Sequence, residues 1–190
     1  MTETIKLREN LPKIIFSIAY IIHYAAKARG KKPSQYDIVK SLFLADRQHM
    51  NRFGRPITFD NYVALKHGPV PSLSYDILKG SQRAIKRMKG RKMPWKVTKT
   101  SKYNEYHDSQ INDFGIHLSD SDIEALEGAY ETVFTLGFHL IRKITHEDRS
   151  YVEAWKDHPT KKQFKMRLDL LFDEPSREEA LRVSEISQFA

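Results

Sequence analysis

The chain of 190 residues, 40% hydrophobic and 29% charged, is long enough to bury a core and too mixed in composition to be disordered or fibrous. It carries no Cys, which excludes disulfide frameworks, Cys-ligated zinc or iron–sulfur centres and thiol nucleophiles, and fits a reducing cytoplasm. Lys and Arg outnumber Asp and Glu by 32 to 24, a formal net charge of +8. The most apolar stretch, Ile14 to Ala26, is interrupted by Ser17 and His23 and falls short of the roughly 20 residues that span a bilayer. Met1 to Asn10 holds charged residues and no apolar run of the secretory kind, so a soluble, cytoplasmic protein with no membrane partner is expected.

The pattern then reads as a succession of short elements. Asn10-Leu11-Pro12 predicts a helix start, Ile14, Ile15, Ile18, Ile21, Ile22 and Ala25 follow at helical spacing, and Gly30 supplies the stop. Ser34 with Asp37 forms a capping box for a second helix through Leu42 and Ala45 to about Asn51, which Gly54-Arg55-Pro56 ends. Ile57 to Lys66 alternates imperfectly, as a short strand or extended segment. Gly68-Pro69-Val70-Pro71 cannot be helix interior and reads as a corner, with Ser72 capping a short helix that Gly80 closes. Trp95 to Thr100 and Tyr103 to Tyr106 alternate as a hairpin. Ser119 with Asp122 opens a long amphipathic helix to about Lys143, and Thr145 with Asp148 a further one reaching Trp155. After His158-Pro159, helical patterns cover Lys161 to Phe172 and Ser176 to about Ser187. The fold class expected is mainly α within α+β: a compact helical domain with a small β element and a helical C-terminal extension.

Charge is concentrated. Between Ile77 and Asn104 there is no acidic residue, while Lys79, Arg83, Lys86, Arg87, Lys89, Arg91, Lys92, Lys96, Lys99 and Lys102 all fall there. Without those ten the chain holds 22 basic residues against 24 acidic, so the whole positive excess sits in one segment. Such a patch raises encounter rates with an acidic partner, protein or nucleic acid, or is simply a solvated loop. Gly90 and Pro94 break it into two short elements at most. Trp95 and Tyr103 could stack on bases, but no helix-turn-helix or zinc-finger signature accompanies them, and nucleic acid is the less favoured partner.

Enzyme signatures are missing from the pattern. Gly68 is followed by Pro, which offers a phosphate no N–H, and there is no Gly-x-Ser-x-Gly elbow. Thr145-His146-Glu147-Asp148 lacks the second His of a metalloprotease, and a helix break before Thr145 would separate His139 from His146. Asp46, in the apolar phrase Ser41-Leu-Phe-Leu-Ala-Asp-Arg, is read as a carboxylate that caps a neighbouring loop or pairs with Arg47 or another basic group rather than as an acid catalyst. Tyr62 and Trp155 read as core or interface anchors. No catalytic residue, metal ligand or cofactor is assigned.

Several phrases together resemble a known family. Lys40-Ser-Leu42-Phe-Leu-Ala-Asp46-Arg47, Gly54-Arg-Pro-Ile-Thr58, Tyr62-Val-Ala64-Leu-Lys-His-Gly68-Pro69-Val70, and later Thr145-His146 followed by Trp155, are similar to the signature of the Panacea, or SocA-like antitoxin, domain. The resemblance runs from about Pro12 to His158 and divides the chain into a domain over 1–158 and an extension over 159–190. Phe43 stands where many members carry Tyr, which keeps the packing and loses a hydroxyl. What the resemblance implies is a bacterial or phage antitoxin that neutralises a toxin by direct protein–protein contact, or, as in the SocA branch, an adaptor that delivers its toxin to a AAA+ protease. It further implies that Lys40, Leu42, Asp46, Gly54, Tyr62, Gly68, Pro69, Val70, Thr145, His146 and Trp155 are shared scaffold. The partner-binding surface is expected on the basic patch of Lys79, Arg83, Lys86, Arg87, Lys89, Arg91, Lys92 and Lys96, facing an acidic toxin surface.

Overall fold

The computed structural model describes residues 5–190. Helix α1 (Leu11–Arg29) begins where the Asn10 side chain accepts from the Lys13 N–H and ends at Gly30 in the left-handed region, so both ends are capped locally. Helix α2 (Gln35–Phe53) carries the Ser34/Asp37 capping box and stops at Gly54. Ile14, Ile18 and Ile22 of α1 and Ile38 and Leu42 of α2 are at most 1% exposed, each contributing about 1.5–3 kcal/mol by leaving water. Helix α5 (Asp120–His146) lies along α2 and closes this first core cluster with Leu126, Ala129 and Tyr130.

Strands β1 (Tyr62–Leu65) and β2 (Gly68–Pro71) form a tight antiparallel hairpin, and β5 (Phe164–Lys165) pairs antiparallel on the other side of β1. The Gly-Pro-Val-Pro phrase is therefore a strand rather than only a corner. Its two prolines are accommodated because β2 is an edge strand, where missing donors break no ladder. Helix α3 (Ser72–Lys79) follows at once. Ser72 lies inside its first turn and does not cap it; Pro71 occupies that position without a side-chain bond. The cap comes from a distant residue: the Asp60 carboxylate accepts from the Leu73 and Ser74 N–H groups. Helix α4 (Gln82–Met88) and the hairpin of β3 (Lys96–Lys99) with β4 (Asn104–His107) complete the middle of the chain.

The expected break before Thr145 is absent. Helix α5 runs on to His146, so Thr145 and His139 share one helical segment with His146, and only Asp148 acts as N-cap of α6 (Arg149–Ala154). The interruption lies earlier, at Gly137 (φ 67°, ψ 177°), a conformation that a residue with a β-carbon essentially never adopts. The kink turns the last nine residues of the helix relative to its first part.

Lys161 to Phe172 is not a helix. It supplies β5 and a 3-10 turn over Leu168–Leu170, because Phe164, Met166 and Leu168 alternate inward at the sheet. The helix α7 (Arg177–Ile186), capped by Ser176, matches the pattern. The segment after His158 is built into a second cluster with Leu7, Phe43, Met50, Tyr62, Tyr151 and Ala154. Arg47 ties it further, donating to Asp148 (2.8 Å) and to Asp173 (2.9 Å). Arg47 is thus engaged away from Asp46.

Candidate functional site

Two groups of residues stand out, one buried and one exposed. The buried group starts at Asp46, fully enclosed on α2. One oxygen accepts from the Ile57 and Thr58 N–H groups (2.8 and 2.9 Å), the other from the Thr58 hydroxyl and the Tyr62 hydroxyl (3.0 Å). The carboxylate holds the loop between α2 and β1. Burial pushes its pKa up to about 6 against the pull of these four donors. Asp60, also fully enclosed, binds α3: one oxygen accepts from the Asn61 and Leu73 N–H groups, the other from the Ser74 N–H and hydroxyl. Burial raises its pKa to about 7. Between the two carboxylates Thr58 Oγ1 accepts from the Asp60 N–H, so both ends of the loop are fixed by one chain of bonds.

The rest of the signature converges on β2. Lys40, 1% exposed, donates from Nζ to the Pro69 carbonyl at 2.8 Å, and burial lowers its pKa to about 7. Neither Lys66 nor His67 in the hairpin turn has positive φ; Gly68 takes it instead, at 99°. A β-carbon on Gly68 would stand 2.5 Å from Lys40 Nζ, 2.8 Å from Thr145 Oγ1 and 3.3 Å from the His146 ring. Gly68 therefore lets α2, the hairpin and the end of α5 meet in one place. His146 stacks on Tyr151, which stacks on Trp155, and Tyr151 donates to the Leu65 carbonyl (3.0 Å). Burial lowers the His146 pKa, with Arg142 and Lys40 adding to the effect. Leu42 and Val70 lie in the first cluster, and Gly54 ends α2.

The structure thus brings Lys40, Gly68, Pro69, Thr145 and His146 together around the start of β2, with Asp46 and Tyr62 in a separate network. Asp60 and Tyr151, which complete these networks, did not emerge from the sequence. A cap reaching from position 60 to Leu73 leaves no local spacing to find, whereas Gly137 inside a helical pattern was a visible sign of the kink. Among the described residues, no group of three or more His, Cys, Asp or Glu is placed to hold a metal ion.

The exposed group is the basic segment. Helix α4 buries Ala84 and Met88 and turns Arg83, Lys86 and Arg87 to solvent; Lys79, Lys89, Arg91, Lys92 and Lys96 are exposed as well. Its charge is not all free. Arg83 and Arg87 reach Glu9 (3.5 and 2.9 Å), Arg83 also reaches Asp76 (3.5 Å), and Lys96 meets Asp108 (3.1 Å). Lys79 covers the Tyr75 ring. Lys86, Lys89, Arg91 and Lys92 have no acidic partner among the described residues. Ile85 and Val97 stand exposed in the same segment, 46% and 44%. Trp95 is buried at 6%, so it cannot stack on a base; of the two aromatics considered for that role only Tyr103, 52% exposed, is accessible.

Residues 38–156 match the family described as Antitoxin SocA-like, Panacea domain. The match covers more than half of the chain and contains every convergent residue described above. The chain belongs to this family. Comparison with curated proteins and with solved structures gave no match. The Panacea match begins inside α2, so α1 and the segment after Lys156 lie outside it although both are packed into the fold. No helix among the described residues is long and apolar enough to cross a membrane.

Proposed function

We propose that this Panacea-domain chain is the antitoxin of a bacterial or phage toxin–antitoxin system, acting in the cytoplasm. It neutralises a growth- or translation-inhibiting toxin by direct, non-catalytic protein–protein binding. The 1–158 domain supplies the scaffold, with 159–190 docked on it as an extension. The observation that carries the contact surface is the set of unpaired, exposed cations Lys86, Lys89, Arg91 and Lys92 beside exposed Ile85. They stand on a short helix and loop anchored by Ala84 and Met88. An exposed apolar side chain in a run of exposed cations suits a protein contact, in which the charges steer an acidic toxin face into register. The signature residues, most of them buried, act by holding the frame and leave partner choice to the surface.

Co-expression with the neighbouring reading frame tests the reading: the antitoxin restores growth that the partner alone arrests, and the two co-purify. Failure of rescue by a folded chain would refute it. Running the rescue in cells lacking their AAA+ proteases separates occlusion, in which rescue persists, from adaptor-mediated degradation, in which it fails. A regulator that binds nucleic acid would instead be captured by DNA or RNA with a steep loss of affinity as salt rises. Burial of Trp95 weighs against that alternative.

A further inference from the structure

A cleft of about 960 Å³ opens between the start of α2, the β1–β2 turn, the end of β3–β4 and the kinked part of α5. Its volume lies at the upper end of the range of small-molecule sites. Lys40 lines it, and its amine, an ammonium below the lowered pKa of about 7, keeps at least one donor besides the one given to the Pro69 carbonyl. Gln35 Nε2, in the same lining, is buried without a hydrogen-bond partner among the described residues. A buried donor of that kind costs stability unless something accepts from it. Around the mouth stand Lys32, Lys66, Lys102 and Lys162, all exposed. The carboxylate in the lining, Asp37, accepts from the Ser34 N–H and hydroxyl with one oxygen, and its single negative charge is outnumbered by the lysines around it. One wall is aromatic: the Phe138 ring is 43% exposed, with Tyr36 at 4.7 Å and His67 at 5.7 Å between ring centres. The kink at Gly137 immediately precedes Phe138.

Spare donors at the floor, an excess of cations at the rim and an open ring face in one cleft fit a ligand that is anionic at one end and planar at the other. We propose that this cleft binds a nucleoside phosphate, its phosphates taken by Lys40, Gln35 and the rim lysines and its base stacked on the Phe138 wall. The cleft's volume and the placement of Lys40 in its lining suit a small ligand better than an extended acidic peptide, which would meet mainly the rim lysines. The proposal does not depend on the antitoxin reading, and its test requires no toxin.

Calorimetric titration of the full chain with ATP and GTP in low-salt buffer reads it directly. At least one of the two is expected to bind with a dissociation constant below about 1 mM, and inorganic tripolyphosphate at least about tenfold more weakly. Phe138→Ala, at a half-open surface position, is expected to weaken nucleotide binding about tenfold while leaving tripolyphosphate unchanged; Lys40→Met is expected to weaken both. Should Lys40→Met not fold, the paired exposed changes Lys66→Ala and Lys102→Ala take its place. Silence with both nucleotides at about 1 mM would overturn the proposal. So would equal affinity for tripolyphosphate and nucleotide, or tighter binding of a hexaglutamate peptide.

Discussion

The enclosed networks around Asp46, Asp60 and Lys40 and the exposed segment from Lys79 to Lys102 are both rich in ionisable groups, and they use charge in opposite ways. In the first, each carboxylate is removed from water and surrounded by donors of fixed position, so its geometry is dictated by the backbone of a loop and a helix. In the second, Lys86, Lys89, Arg91 and Lys92 among others project into solvent without an acidic partner among the described residues. A buried ionisable group is costly to enclose and tolerates only the arrangement that supplies its hydrogen bonds, whereas an exposed charge is nearly indifferent to the fold and remains available to a partner. The contrast predicts that changes in the first region move stability, and changes in the second move association.

The largest effect is expected at the meeting point of α2, β2 and α5. Gly68→Val adds a branched side chain at positive φ where even a β-carbon meets Lys40 and Thr145, and should cost about 3–5 kcal/mol, read as a fall in Tm of roughly 10 °C or more. A variant that kept its Tm yet lost partner binding would show that Gly68 belongs to the contact surface instead.

The two aspartates should then separate. In Asp60→Asn the new amide NH2 must face a backbone N–H whichever way it turns, because both oxygens of Asp60 accept from backbone donors. In Asp46→Asn the amide can face the Thr58 and Tyr62 hydroxyls, which rotate to accept, while its oxygen keeps the Ile57 and Thr58 N–H groups. Denaturant unfolding is expected to give about 2–4 kcal/mol for Asp60→Asn and about 1 kcal/mol for Asp46→Asn. Equal costs would contradict this assignment of donors.

Lys40 sharpens the comparison through pH. Its folded pKa of about 7 lies below the ordinary lysine value, so between about pH 7 and the ordinary lysine range the unfolded chain holds a proton that the folded chain has released. Stability relative to Lys40→Met should therefore rise with pH across that window, by at most about 1.4 kcal/mol per pH unit, and level off below it. A flat difference from pH 6 to pH 10 would mean that Lys40 remains charged when folded.

The smallest effect on stability belongs to the exposed segment. Reversing Lys86, Lys89, Arg91 and Lys92 to Glu should leave Tm unchanged and slow association with the proposed toxin partner in low salt, with the gap closing as salt rises. An unchanged association rate at low salt would place the toxin contact elsewhere on the molecule. Loss of nucleic-acid binding with toxin neutralisation spared would reassign the segment.

Local chemistry made much of this legible from the chain alone. Caps, prolines and hydrophobic period act over a few residues, and they located α1, α2, the β3–β4 hairpin, most of α5 and α7. The same local logic failed at Thr145, where a Thr-x-x-Asp spacing imitates a capping box but the Thr hydroxyl bonds back to the Ile141 carbonyl inside a continuing helix. It failed again over Lys161 to Phe172, whose apolar spacing suits a helix yet whose partner is the open edge of β1.

What the sequence determined by itself was the α+β class, the family phrases and the isolation of positive charge in one segment, since each depends on residues near one another in the chain. Tertiary structure alone decided that Asp60 caps a helix twelve residues further on, that Glu9 and Asp108 neutralise part of the patch, and that Trp95 is buried. It also decided that Lys40, Gly68 and Thr145 meet, 105 positions separating the first from the last. Those relations join groups across long loops of chain. Removing water from those polar atoms costs free energy, which is offset only by bonds to partners that they meet once the core has formed.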